Sequence, residues 1–148
     1  MSESLKKVIC SLISENDGIL TFNIFDSDGI NIFSLVCMET LEPSVFDYLL
    51  PNFINTIQQT KRLNNGQLQD VIITFSDVIA YQHQFKQPGQ SPLYISIIGI
   101  KDCNIGYLEY MCRILKPTFT QISIIVNERL KQEKSMNNPG ENKEIFKL

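Results

Sequence analysis

Residues 23–33 read NIFDSDGINIF, and the fold turns on whether this stretch is a metal-binding loop or the tip of a hairpin. Asp26 and Asp28 stand just before Gly29, as carboxylates do ahead of the tight turn of a calcium loop. Aligning Gly29 with the glycine of such a loop makes Ile24 its first residue and Leu35 its last. The first ligand and the closing bidentate glutamate are then both missing. The hairpin alternative meets no such obstacle. Leu20, Phe22 and Ile24 alternate with Thr21 and Asn23, and INIFSLVC (residues 30–37) is rich in β-branched and aromatic residues. A type I turn followed by a left-handed Gly29 joins two such strands. Asp26 then serves the turn, accepting its backbone N–H groups. The spacing predicts two strands and a turn, with no metal.

Upstream, Leu5, Val8, Ile9 and Leu12 recur at helical intervals. Downstream, residues 43–63 (PSVFDYLLPNFINTIQQTKRL) place Phe46, Leu49, Leu50, Phe53, Ile54 and Ile57 on one helical face. That face spans about 140° at 100° per residue, against about 100° for a helix resting on one sheet. Pro51 disrupts a helix interior, so the main segment is expected to begin there, at its first helical position. Leu49 would then pack back on Ile54. LQDVIITFS and DVIAYQHQFK form a second hairpin with its turn near Ser76–Asp77, and PLYISIIGI is apolar enough to be the central strand. Asn104 caps a long helix striped by Leu108, Met111, Leu115, Phe119, Ile122 and Val126, with a kink at Pro117. From Lys131 the periodicity disappears. The chain thus divides into a domain over 1–130 and a polar, disordered tail over 131–148. The element order is α-β-β-α-β-β-β-α, an α+β fold on a five-stranded, mainly antiparallel sheet with helices on both faces.

A chain of 148 residues suits one such domain. Its net charge of −3 opposes general nucleic-acid binding, which needs a basic surface to displace counterions. Cys10, Cys37, Cys103 and Cys112 lack the Cys-x-x-Cys spacing of zinc or redox sites and read as buried, reduced thiols of a cytosolic protein. No signal peptide, acylation site, prenylation cysteine or membrane span is legible, so any membrane association is expected to be indirect.

Catalytic chemistry finds little support. His83 is the one histidine; a nucleophile pair would need a cysteine brought near it, Cys103 being the least implausible, whereas an exposed strand histidine is the ordinary reading. Phosphate loops and serine-hydrolase motifs are missing, and no cofactor is expected. More informative is VIITF, residues 71–75, with Val71, Ile73 and Phe75 on one side and Ile72 and Thr74 on the other. It has neither proline nor charge. At a sheet edge such a strand recruits another strand.

Taken together, the element order, FDSDGINIF, LLPNFINTIQQTKRL, VIITFSDVIAYQHQF, SPLYISIIG and NIGYLEYMCRILKPTF resemble the roadblock-domain scaffolds of the MEK-partner type, from about Leu5 to Val126. KQPGQS is longer than the family's usual loop, and the polar extension after Val126 is additional. The resemblance implies a roadblock/longin-like fold, with the middle helix on one sheet face and the two terminal helices on the other. It implies pairing through Phe53, Ile57 and Thr60 of that helix and Val71, Ile73 and Phe75 of the third strand. It further implies a non-catalytic adaptor: half of a heterodimer with a second roadblock subunit, in a Ragulator-like complex on late endosomes and lysosomes. A lipid-anchored subunit would hold the assembly at the membrane, with MAP-kinase pathway kinases and Rag-type small GTPases of TORC1 signalling as clients. The alternatives are a homodimeric roadblock regulator of a small GTPase and a longin-like trafficking subunit.

Overall fold

The computed structural model describes residues 3–14, 18–37 and 44–137. Helix α1 (Glu3–Ser14) leads into β1 (Ile19–Phe25) and β2 (Asn31–Val36), the predicted hairpin. Its tip is held by Asp26, whose Oδ1 accepts the N–H groups of Asp28 and Ile30, both at 2.9 Å. The Gly29 N–H donates to the Asp26 carbonyl at 3.1 Å, and Gly29 has φ +81°. A side chain at that φ is strained, which is why glycine stands there. Asp26 is buried and spent on the turn.

Helix α2 (Ser44–Thr60) and a short 3-10 turn (Lys61–Leu63) precede β3 (Asp70–Thr74), β4 (Val78–Phe85) and β5 (Leu93–Ile100). The chain ends in α3 (Ile105–Ile114) and α4 (Lys116–Asn137). All four strand pairings are antiparallel, in the order β2-β1-β5-β4-β3, so β5 is central as its apolar run predicts. Each face of the sheet has its own core. On one, Phe22, Ile24, Tyr81, Ile95 and Ile97 meet Ile9 and Ile13 of α1 and the stripe of α3 and α4. On the other, α2 lays Leu49, Leu50, Phe53 and Ile57 against Leu20, Phe25, Ala80, Tyr94 and Ile98. Buried Gln82 of β4 donates from Nε2 to the Leu49 carbonyl at 3.2 Å. A buried amide needs such a partner, so this bond fixes where α2 crosses the sheet.

Both prolines act differently from expectation. Helix α2 runs through Pro51, which lies inside it on the exposed face. Proline in a helix interior costs about 3 kcal/mol. Burying a large apolar side chain returns about 1.5–3 kcal/mol, and Leu49 and Leu50, just ahead of Pro51, are both buried. Two leucines outweigh one lost hydrogen bond. Phe46 lies in α2, but its side chain falls outside the described residues. The last helix breaks where a kink was expected: Leu115, at φ −85° and ψ 0°, separates α3 from α4. Pro117 then sits in the first turn of α4, where an N–H would have no helical partner. The apolar stripe crosses the break in phase, with Leu108, Met111, Leu115, Phe119, Ile122 and Val126 all buried.

Helix α4 continues to Asn137, past the boundary drawn at residue 130, with residues 131–137 exposed. Loss of the apolar stripe predicted disorder there. However, Lys, Gln and Glu are good helix formers in their own right, and an attached helix needs no new nucleus to extend. Residues 138–148 lie outside the described residues.

The start of β3 is tied to β4 by one carboxylate. Asp70 Oδ1 accepts the Tyr81 hydroxyl at 2.6 Å and lies 2.7 Å from His83 Nδ1. The Gln84 N–H adds a bond to the Gln69 carbonyl at 2.8 Å. Burial, then the bond to Asp70, pushes the Tyr81 phenol well above its ordinary pKa, so it stays a neutral donor.

Two stability predictions follow from this packing. Asp70→Ala strands the buried Tyr81 hydroxyl and should lower stability by about 1–3 kcal/mol; Tyr81→Phe in that background should recover part of the loss. Urea unfolding of the single and double variants measures both. At Gly99 an added Cβ would meet Cys103 Sγ at 2.8 Å, Cys103 Cβ at 2.9 Å and the Gly18 carbonyl oxygen at 3.0 Å. Gly99→Ala should therefore shift the urea midpoint down by an amount worth about 1–3 kcal/mol with an unchanged slope; an unshifted midpoint contradicts this close approach.

Candidate partner interface

Strand β3 is an edge to which no other described strand pairs beyond β4. It pairs only with β4, Val71 opposite Gln82 and Ile73 opposite Ala80, without a register shift. Natural edges are blunted by bulges, prolines or lysines, because bare N–H and C=O groups template a further strand. At the opposite edge, the pairing of β1 with β2 is interrupted by a shift between Ile24 and Phe25. Strand β3 has no such interruption, and its one charge, Asp70, is engaged at its start.

Around this edge the implied interface residues divide into two groups. Val71 and Ile73 are half-buried, leaning on the α2-side cores. Phe75 is 47% exposed beyond the end of β3, and Thr60 is half-buried with its Oγ1 donating to the Ile57 carbonyl at 3.0 Å. These four reach the surface. Phe53 and Ile57 do not. Phe53 is 1% exposed and stacks edge-on against Tyr94, ring centroids 5.8 Å apart, and Ile57 is buried beside it. Both belong to the chain's own core, beneath the surface that α2 presents. The arc of α2 on which they lie is the arc the sheet itself covers.

Sequence reasoning missed Tyr48. It is 72% exposed on α2, about 100° or more from each of the buried positions at 100° per residue. An aromatic ring on the outward side of an otherwise amphipathic helix was the available signal, since tyrosine is enriched at interfaces. Ile72, on the other face of β3, is 45% exposed.

His83 is buried rather than exposed. Its ring packs on Phe119 at 6.5 Å and its Nδ1 faces Asp70. The alternative nucleophile pair with Cys103 has no counterpart among the described contacts: the polar contact of His83 is with the Asp70 carboxylate. Burial pushes the Cys103 and Cys112 thiols up, Cys112 further through Asp70 and Glu109. Since the thiolate is the nucleophile, such thiols are inert. Cys37 departs from the expected buried thiol: it is exposed, and Cys10 is half-buried. Among the described residues no three His, Cys, Asp or Glu side chains converge on a metal site.

Comparisons with known proteins agree with this architecture. Residues 3–126 match the family described as mitogen-activated protein kinase kinase 1 interacting. The Drosophila melanogaster Ragulator complex protein LAMTOR3 homolog is 23% identical over 108 residues, covering 73% of this chain and 83% of that protein. Among solved structures, a Roadblock/LC7 domain from Streptomyces avermitilis superposes with a TM-score of 0.60 at 11% identity, covering 76% of this chain and 92% of that one. Myxococcus xanthus MglB gives a TM-score of 0.64 at 12% identity, with 81% and 94% covered. These structural likenesses show a roadblock fold, and the sequence match gives the lineage within it: the chain belongs to the mitogen-activated protein kinase kinase 1 interacting family.

Proposed function

We propose that this chain is a non-catalytic scaffold, one half of a roadblock heterodimer in a Ragulator-like complex on late endosomes and lysosomes. The uncovered β3 edge carries the reading. A partner strand adds to β3 through backbone hydrogen bonds, while Val71, Ile73, Phe75 and Thr60 supply apolar contact and Tyr48 extends it along α2. Phe53 and Ile57 act from beneath, holding α2 on the sheet. An obligate interface of this kind buries about 2,000 Å² or more. The name of the Drosophila relative, a Ragulator complex protein, supports the assembly.

No described helix is long and apolar enough to cross a membrane, so in this reading a lipid-anchored subunit supplies the attachment. The helices opposite α2 stay available to kinases of the MAP-kinase pathway and to Rag-type small GTPases that signal to TORC1. The chain's work is geometric: it holds clients at fixed separation and does no chemistry on them.

Co-expression with a roadblock partner, read by size-exclusion chromatography with light scattering, should give a 1:1 complex. A partner-free chain that stays monomeric, well behaved and indifferent to roadblock proteins would contradict the reading, and a symmetric dimer of this chain alone would favour a homodimeric regulator. Ile73→Lys should weaken pairing by two orders of magnitude or more (~3 kcal/mol), because an ammonium would be desolvated without a counter-charge. Circular dichroism must show that the variant remains folded. Tyr48→Ala should weaken pairing by about 1–2 kcal/mol while leaving the urea midpoint of the isolated chain unchanged.

A further inference from the structure

Along the flank of α2, two clefts meet at Ile54 and Gln58. The larger, about 750 Å³, lies between the end of α2, the segment leading to β3 and the loop joining β4 to β5. Its floor is apolar, with Ile57 and Tyr94 buried and Leu68 half-buried. Lys61 and Lys86 stand on its walls, and no acidic residue among the described ones lines it. The second cleft, about 570 Å³, carries Asp28.

This charge arrangement runs against the chain as a whole. With 13 Lys and Arg against 16 Asp and Glu, the protein is net acidic. Yet this cleft presents two exposed lysines, neither of which forms an ion pair among the described residues. Two unpaired cations beside an apolar floor describe a site for a carboxylate attached to something greasy. The exposed amides of Gln58 and Gln67 also face the cleft, and they offer both donors and acceptors to a peptide backbone. The groove extends beyond Gln58 into the second cleft, which favours an elongated occupant over a compact anion. Asp28 repels acids at that far end, so acidic residues belong over Lys61 and Lys86.

We infer that this groove binds an extended acidic segment of a partner polypeptide, carboxylates on Lys61 and Lys86 and apolar side chains on the floor. Thr60, counted above with the pairing residues, also lines the larger cleft, so the groove adjoins the pairing surface while its cations, Lys61 and Lys86, belong to the groove.

The test is fluorescence anisotropy on the full chain, using a labelled peptide that alternates glutamate with leucine and its lysine–leucine counterpart. The acidic peptide should bind, more weakly as salt rises, and the basic one should not. Lys61→Glu and Lys86→Glu should each weaken binding about two- to fivefold, the size of a partly exposed ion pair. The double variant should reverse the preference toward the lysine peptide. Gln58→Trp, which fills the junction of the clefts, should block binding without changing charge. Equal binding of both peptides, or undiminished binding of the acidic peptide by the double variant, overturns the inference. So does displacement of the peptide by inorganic phosphate at concentrations where acetate has no effect, which would mark a phosphate site. Binding retained by folded Ile73→Lys separates this groove from the pairing edge, and its loss there overturns the groove as a distinct site.

Discussion

Backbone hydrogen bonding sets the terms for this molecule. An antiparallel sheet satisfies its N–H and C=O groups strand by strand until it reaches an edge, and the edge at β3 is left open on a straight, regular strand. Everything near that edge prepares it. Asp70 pins its start through Tyr81 and His83, and the α2-side cores hold Val71 and Ile73 from one face. An edge strand anchored in this way is preorganised, and a preordered strand costs less to pair than one that must first be ordered.

The two faces of the sheet serve separate ends. One carries three helices and the larger core, which gives the fold its stability. The other carries a single helix, placed by the bond from Gln82 to the Leu49 carbonyl and leaving surface open on both flanks. The lysine-bearing groove opens between the end of α2, the segment leading to β3 and the loop joining β4 to β5. A scaffold needs several surfaces that work at once, and one helix on a five-stranded sheet leaves room for them.

Much of this was legible in the residues. The Asp26 turn was readable because a side chain three residues before a left-handed glycine has few local alternatives. The apolar run of β5 could go only to the centre, and the regular, uncharged alternation of VIITF marked it as a strand able to recruit another if it lay at an edge. The misreadings share one cause. Pro51, Pro117 and the polar run after Lys131 were judged by local rules, whereas long-range burial or an existing helix decided each of them. Phe53 and Ile57 show the limit of a helical stripe, which tells which residues seek burial and not which surface buries them. His83 looked exposed until Asp70 and Phe119, distant in the chain, closed around it.

The sequence by itself determined what depends on neighbours along the chain: the order of elements, the turn chemistry, the stripe of the last helices, and the family likeness these produce. Only the tertiary structure decided which edge stays unpaired, which side of α2 faces the sheet, and that two lysines from separate segments share one cleft. The physical reason is that hydrogen-bond and hydrophobic periodicity are local, while the free surface of a protein is whatever remains after all its segments have packed.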